Sequence, residues 1–255
     1  EAGQYTHKPI WFPFNLNSAR DIVWILSRYN LEVSESDLNE IQLKSNEYDK
    51  IRNAVSNADQ DVNFKSLPGM LSLGLPLREH QIKFLNMFNL VGKRMLLADK
   101  LGLGKTASAI STLLAPEARP AIVVVPTHLC SQWEREVKRF IPDASAHIIK
   151  GFKNYELPKV DVLITSYNRL SPWQDILIQK DRFRSLILDE AHEIRNSGTG
   201  KYDMCKALSE RVGQCVGLSG TPIMNYGNEM FNIMNVIKPE CLGDYNTFIS
   251  EWCDW

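Results

Sequence analysis

The sequence predicts an α/β fold with a doubly wound parallel sheet, preceded by a small, mostly helical N-terminal accessory region. Two observations carry this prediction. Short apolar runs rich in β-branched residues alternate with helical patterns, which is typical of strands buried on both faces of a parallel sheet. Polar motifs follow these runs, at the carboxyl ends of strands where such sheets bind ligands. The runs are Met95–Ala98, Ala121–Val125, Val160–Ile164, Leu186–Leu188 and Cys215–Leu218; a helix is predicted from Leu129 to Phe140.

The N-terminal region differs in composition, since it is polar and rich in Asn and Ser. A second helix is predicted from Glu35 to Ser45, with Ser34 or Ser36 as its N-cap. Prolines and glycines between Ser66 and Pro76 indicate a boundary, which divides the chain into residues 1–66 and 67–255. The first part is either an accessory domain or a helical hairpin packed on the next domain. Its first helix is predicted from Ser18 to Tyr29, with Ile22, Ile25, Leu26 and Tyr29 on one face.

Composition excludes several classes of protein. With 255 residues, 44% of them hydrophobic, the chain can bury a full core, so a disordered or fibrous protein is not expected. The 29 basic and 30 acidic residues nearly cancel, and any contact with nucleic acid must therefore be local. No apolar run approaches the length of about 18 residues that crosses a bilayer. We expect a soluble, intracellular protein of a nucleus or of a bacterial or phage-infected cytoplasm, with its five cysteines reduced.

A glycine-rich loop, Asp99 to Thr106, follows the first apolar run and opens a helix. Glycines in this place let backbone N–H groups and the positive end of the helix face phosphate oxygens. Lys105 would reach the outer phosphates, and the Thr106 hydroxyl would bind Mg²⁺. Asp99 stands where the strict pattern has its first glycine, and the alternative is an ordinary turn with Lys105 as a surface charge. The expected phosphate-binding residues are Gly102, Leu103, Gly104, Lys105 and Thr106.

An acidic motif, Asp189-Glu190-Ala191-His192, follows the apolar run Leu186–Leu188. A carboxylate at the end of a buried strand can bind Mg²⁺, and a second one can orient and deprotonate the attacking water. We assign Asp189 to the metal and Glu190 to the water. The alternative is an acidic helix start stabilised by the helix dipole.

These two motifs, taken in order, resemble motifs I and II of the superfamily-two helicases. The loop with Asp99 is similar to the variant found in the Swi/Snf-type branch, whose members are mostly DNA translocases. The resemblance spans about Leu75 to Trp255 and implies a RecA-like P-loop NTPase lobe that binds ATP and Mg²⁺. Lys100 departs from the branch, which usually carries glutamate there. The segment from Gly243 to Asp254 is further similar to the annealing-helicase subgroup and its phage or bacterial relatives.

Further segments resemble the motifs of this family and occur in its order. Leu77–Gln81 resembles the upstream glutamine motif, which implies that Gln81 contacts the adenine edge. Val125–Trp133 and Ile164–Tyr167 resemble motifs Ia and Ib, and Leu218–Asn225 resembles motif III. The implied contacts with the nucleic-acid backbone involve Thr127, Gln132, Thr165 and Ser166. The residues implied in coupling the nucleotide state to the bound strand are His192, Ser219 and Thr221.

Each of these secondary sites also has a plainer interpretation. Gln81 would be a solvated helix residue, and the threonines at strand ends would be helix caps. Ser219 and Thr221 would close a turn before Pro222. The order of the motifs favours the functional interpretation for these residues. Trp133, at helical spacing with Val137 and Phe140, is instead expected to pack against the sheet. Arg195 and Asn196 either reach a phosphate of bound DNA or form a solvated turn.

The sequence therefore predicts the ATP-binding lobe of an ATP-driven translocase on double-stranded DNA. The alternatives are a motor subunit of a restriction or defence system, an RNA helicase, and a nucleotide-gated scaffold without turnover. Motors of the predicted kind hydrolyse ATP between two RecA-like lobes, and the second lobe supplies an arginine to the transition state. Because the sequence ends at Trp255 before such a lobe begins, we expect residues 1–255 alone to bind nucleotide and hydrolyse it poorly.

Overall fold

The computed structural model describes Phe14 and residues 16–57, 76–100, 102–223 and 226–253. The chain divides into two units, Glu1–Ser56 and Asn57–Trp255. The boundary predicted at residue 66 lies among residues 58–75, outside the described ranges, and stays a prediction.

The first unit contains helices α1 (Leu16–Arg28) and α2 (Glu35–Asn57). Ser34 caps α2, because its hydroxyl oxygen accepts a hydrogen bond from the backbone N–H of Asp37 at 3.1 Å. The predicted end of this helix at Ser45 is wrong: residues 46–57 contain neither proline nor glycine, and α2 continues through them. Tyr29 does not belong to the apolar face either, since α1 ends at Arg28 and Tyr29 is 60% exposed.

In the second unit, the described residues form a six-stranded sheet in the order β1-β6-β5-β2-β4-β3. All neighbouring strands are parallel. The strands are β1 (Arg94–Leu97), β2 (Ala121–Val125), β3 (Ala146–Ile148), β4 (Val162–Ser166), β5 (Ser185–Leu188) and β6 (Gln214–Leu218). The sequence did not predict β3, because this edge strand has only three residues, with His147 in its middle, and gives no apolar run.

Helices cover both faces of the sheet, as the double winding requires. Val123 and Val125 of β2 face one core, shared with α3 (Glu79–Leu90), α4 (Lys105–Ser111) and α5 (Cys130–Phe140). Ile122 and Val124 face the other core. That second core contains residues of α6 (Gln174–Leu177), α7 (Gly200–Ser209) and α8 (Gly227–Ile237), and α9 (Tyr245–Trp252) packs against α8. Short 3₁₀ turns comprise Pro116–Ala118, Thr127–Leu129, Tyr167–Arg169, Ser171–Trp173 and Ala191–Ile194.

Arg94, at the start of β1, fixes the amino end of the sheet to the helices of the second core. Its guanidinium donates to the hydroxyl and the carbonyl of Ser209 at 2.9 and 2.8 Å. It also donates to the carbonyls of Val212 at 2.6 Å and Ile237 at 3.0 Å. One side chain thereby satisfies carbonyls at the ends of both α7 and α8. Among the described helices, none is long and apolar enough to cross a membrane.

Candidate active site

The predicted motifs lie along one edge of the sheet, at the carboxyl ends of its strands. The glycine-rich loop follows β1, Ser219 follows β6, and Asp189 follows β5. These three strands are neighbours in the sheet, so the loop and the acidic motif flank the end of β6. Thr127 follows β2, and Thr165 and Ser166 end β4, further along the same edge. The topology therefore brings together segments that are far apart in sequence.

The glycine-rich loop has the backbone curvature that its sequence predicts. Gly102 and Gly104 both have positive φ, at 86° and 81°, in the left-handed region that favours glycine. A Cβ on Gly102 would meet nothing within 4 Å, so this glycine serves the backbone conformation and not tight packing. Lys105 folds back on the loop, donating from Nζ to the carbonyls of Asp99 at 2.7 Å and Lys100 at 3.3 Å. The partly exposed Thr106 follows it at the start of α4, and Leu101 lies outside the described residues.

Gln81 of α3 lies directly against this loop. Its Nε2 donates to the carbonyl of Gly104 at 3.2 Å, and its Oε1 accepts from the backbone N–H of Arg78 at 2.9 Å. A Cβ on Gly104 would lie 2.7 Å from Nε2, so any side chain at this position would force the Gln81 amide to move, in addition to the cost of the positive φ. His80 Nε2 is 2.9 Å from the carbonyl of Leu103. Gln81 is thus buried as a support of the loop, and its predicted contact with adenine stays a prediction.

Asp189 lies at the end of β5 with its carboxylate held by two donors. The indole N–H of Trp133 donates to Oδ2 at 2.7 Å, and the backbone N–H of Glu190 donates to Oδ1 at 3.0 Å. The side chain is largely buried. Desolvation is the main cause that raises the pKa of Asp189 above its ordinary value, while these hydrogen bonds and the charge of Lys105 oppose the rise.

Glu190 adopts a left-handed backbone conformation, with φ 50° and ψ 57°. This conformation is costly for a residue with a Cβ, and it turns the chain sharply between β5 and the 3₁₀ turn that follows. Its Oε2 lies 3.2 Å from Nδ1 of His192, two positions on. The strained turn thus places the second carboxylate of the motif beside an imidazole, and both groups are partly accessible.

The segment from Ser219 to Thr221, called the coupling segment after its predicted role, follows β6 between the loop and the acidic motif. The backbone N–H of Ser219 donates to the carbonyl of Leu97 at 3.1 Å, which ties this segment to the end of β1. The Ser219 hydroxyl accepts from the backbone N–H of Thr221 at 3.2 Å and closes a turn. Thr221 is exposed, whereas Ser219 is buried. Asn225 lies outside the described residues, and the coupling roles stay predictions.

The residues predicted to contact nucleic acid divide into two groups. Thr127 and Gln132 are exposed, as a contact with a phosphate backbone requires. Thr165 and Ser166 are buried, and their hydroxyl oxygens have no hydrogen-bond partner within the described residues. A contact through these two hydroxyls therefore needs the neighbouring segments to move.

Arg195 is held within the protein. Its Nη1 donates to the carbonyl of His192 at 3.1 Å, and its Nε lies 3.6 Å from Oε1 of the buried Glu229 on α8. Asn232, also on α8, donates to the carbonyl of Arg195 at 2.7 Å. These contacts connect the segment after the acidic motif to α8. Asn196 is exposed, and phosphate contacts of Arg195 and Asn196 stay predictions.

The sequence analysis missed two residues that donate hydrogen bonds to Asp189, namely Trp133 and Tyr167. Trp133 was expected only to pack, and it is buried at 1% exposure, but its N–H also holds the Asp189 carboxylate. The Tyr167 hydroxyl donates to the backbone carbonyl of the same Asp189 at 2.7 Å. A buried Trp or Tyr usually finds a hydrogen-bond partner, which was the available signal, but spacing does not identify the partner.

Comparison with known proteins identifies the family. The family model for the SNF2-related domain matches residues 22–254. The chain belongs to the SNF2-related domain family. The match begins well before Leu75, where the resemblance seen in the sequence begins, so the family model also covers much of the N-terminal helical region.

Relatives of this SNF2-related chain include several ATPases. An uncharacterized ATP-dependent helicase of Bacillus subtilis is 32% identical over 166 residues, covering 62% of this chain and 28% of that protein. A chromatin-remodeling ATPase of Candida albicans is 29% identical over 263 residues, covering 89% of this chain and 19% of that protein. The chain thus spans less than a third of the length of these relatives.

Solved structures give the same fold. The Sulfolobus solfataricus SWI2/SNF2 ATPase core in complex with double-stranded DNA matches with a TM-score of 0.59 and 28% identity, covering 73% of this chain and 41% of that chain. The core domain from the same organism matches with a TM-score of 0.60 and 27% identity, over 74% of this chain and 40% of that chain. The predicted RecA-like lobe with a doubly wound parallel sheet is confirmed, while the narrower annealing-helicase similarity stays a prediction.

The residues of this site fit a magnesium nucleotide. Across the described ranges no cluster of three or more His, Cys, Asp or Glu side chains would hold a metal by itself. Mg²⁺ in nucleotide sites uses one or two protein oxygens together with phosphates and water. Asp189 supplies a carboxylate whose two oxygens each accept one hydrogen bond and keep a further acceptor position. Thr106 supplies a hydroxyl beside the loop.

Proposed function

We propose that this chain is the ATP-binding lobe of an ATP-dependent translocase that acts on double-stranded DNA. The observation that carries the proposal is the placement of the Gly102–Thr106 loop and the Asp189-Glu190 pair on either side of β6, in a chain of the SNF2-related domain family. The DNA-bound SWI2/SNF2 core among its structural relatives supports duplex DNA as the substrate of movement. Action on DNA is in keeping with the predicted location inside the cell.

In this proposal each residue has a distinct task. The loop amides and Lys105 bind the phosphates of ATP, while Thr106 and Asp189 hold Mg²⁺. When bound, Mg²⁺ neutralises charge on the phosphate oxygens. Glu190 orients the attacking water and accepts its proton, and the imidazole of His192 lies beside the Glu190 carboxylate. Ser219 and Thr221 lie between the loop and the acidic motif, where they can transmit a change at the phosphates.

A second RecA-like lobe is the proposed partner that completes catalysis. An arginine delivered to the transferring phosphate is worth about 10³ to 10⁵ in rate in related enzymes. Residues 1–255 alone should therefore bind ATP and show very low DNA-stimulated turnover. Vigorous DNA-stimulated phosphate release from residues 1–255 would contradict this division of labour.

The test of the proposed function is Glu190→Gln in the protein that contains both lobes. The amide cannot accept the proton of the attacking water, so we expect turnover to fall by at least about 100-fold while ATP still binds. Unchanged turnover would refute the catalytic assignment and favour a nucleotide-gated scaffold. Comparing stimulation by duplex DNA, single-stranded DNA and RNA then tests the substrate, and a preference for RNA would refute translocation on duplex DNA.

A further inference from the structure

The contact between Trp133 and Asp189 joins two layers of the fold. Trp133 lies in the first turn of α5, in the core on one face of the sheet. Its N–H crosses from that core to the end of β5, where it meets Oδ2 of Asp189 at 2.7 Å. Both groups are largely buried, so water does not compete for this hydrogen bond.

The two donors to Asp189 fix the plane of its carboxylate. One donor comes from α5 and the other from the backbone of Glu190, and they engage different oxygens. A carboxylate has about four acceptor positions, so about two remain for other partners. Losing the indole donor would leave Oδ2 buried without this bond and would release rotation of the carboxylate about its last bond. The orientation of the remaining acceptor positions thus depends on Trp133.

We propose that Trp133 is a positioning residue that presents the Asp189 carboxylate to the Mg²⁺ of the bound nucleotide. The inference rests on the proposed function, in which Asp189 belongs to the metal site. Residues that orient the ligands of a metal typically change metal affinity by about 10- to 100-fold when they are replaced. A purely structural Trp133 would change the stability of the fold and leave the metal dependence of nucleotide binding unaltered.

Tyr167 provides a matched control. Its hydroxyl also donates to Asp189 at 2.7 Å, but it reaches the backbone carbonyl and not the carboxylate. Both side chains are almost fully buried. Trp133→Phe and Tyr167→Phe each remove one hydrogen bond to the same residue while keeping an aromatic ring. Only the first variant frees the carboxylate.

The experiment measures binding of ADP to the 255-residue chain by calorimetry, with Mg²⁺ and with EDTA. We expect Trp133→Phe to reduce the gain in affinity that Mg²⁺ provides by about 10-fold, without changing the affinity in EDTA. Tyr167→Phe should keep the full gain. Equal weakening in Mg²⁺ and EDTA, an unaltered gain in Trp133→Phe, or the same lost gain in both variants would overturn the proposal.

Asp189→Asn distinguishes a failure of the positioning role of Trp133 from a failure of the assignment of Asp189 to the metal. If Asp189→Asn abolishes the Mg²⁺-dependent gain and Trp133→Phe leaves it intact, the positioning role fails while the metal assignment stands. If Asp189→Asn leaves the gain intact, the metal assignment fails and the positioning role fails with it. Should Trp133→Phe not fold, 3-benzothienylalanine at this position keeps the shape of indole with sulfur in place of N–H, and the same outcomes decide.

Discussion

Gly104→Ala is expected to disturb the glycine-rich loop for two separable reasons. The first is its φ of 81°, because a left-handed conformation costs a residue with a Cβ about 1–2 kcal/mol. The second is Gln81 Nε2, which lies 2.7 Å from the position of the new Cβ. Moving this amide aside breaks its hydrogen bond to the Gly104 carbonyl, worth about 0.5–1.5 kcal/mol. Together the two terms amount to about 1.5–3.5 kcal/mol.

Gly102→Ala is the control for the first term alone. Gly102 has nearly the same φ, at 86°, and a Cβ there meets nothing within 4 Å. Urea unfolding should therefore show Gly104→Ala to be less stable than Gly102→Ala by about 1 kcal/mol. Adding Gln81→Ala should remove that difference, since the atom that the Cβ meets is gone. Equal destabilisation by the two glycine replacements, with Gln81 intact, would refute the close-approach argument.

Three further predictions concern other parts of the second unit. Arg94→Met should lower the free energy of unfolding, measured by urea denaturation, by about 3 kcal/mol. The reason is that the carbonyls of Ser209, Val212 and Ile237 lose the hydrogen bonds that the charged guanidinium donates to them. A variant as stable as the original chain would contradict this role. Desolvation would raise the pKa of Asp161, but the hydrogen bonds from Ser145 and the positive charge of the nearby Arg119 hold it below its ordinary 3.8. The stabilisation by Asp161 is therefore present above about pH 4 and lost as pH falls below it. Asp161→Asn should accordingly cost about 1 kcal/mol at pH 7, and the deficit should shrink in acid; a deficit independent of pH would be inconsistent with this. Arg195→Ala should lower stability by about 1 kcal/mol through its lost contacts with His192 and Glu229. If Arg195 also contacts a phosphate, as predicted, the variant should lose about one unit of slope in the salt dependence of DNA binding, and an unchanged slope would refute that contact.

Most of the sheet was predictable because its strands are buried on both faces and therefore apolar in sequence. In β2, Val123 and Val125 pack into one core, and Ile122 and Val124 pack into the other. No position of these four can therefore be polar. The edge strand β3 escaped prediction because it has only three residues, all of them only partly buried, and its middle residue is a histidine. The length of α2 escaped it because a polar helix has no apolar stripe to follow to its end.

Placement of the site followed from the same logic, since motifs at strand ends converge wherever their strands are neighbours. The contacts that hold the site residues in place could not be predicted in this way. Trp133 and Asp189 are 56 positions apart, and their hydrogen bond depends on how α5 lies on the sheet. The pairing of Arg195 with Glu229 likewise depends on the approach of α8 to the acidic motif. Spacing along one sequence carries no information on either approach.

The strand order has a mechanical consequence for the proposed translocase. The segments proposed to bind the nucleotide and its metal follow β1 and β5, with the coupling segment after β6 between them. Thr127, Thr165 and Ser166, which are proposed to contact DNA, lie at the ends of β2 and β4. The two halves of this edge meet between β5 and β2, whose axes are separated by a single strand spacing of about 4.8 Å. Gln132 and Trp133 straddle that border, because one is exposed on α5 while its neighbour reaches back to Asp189. The nucleotide and the DNA would thus be bound at the ends of adjacent strands of one sheet. A small tilt of α5 would move residues at both sites.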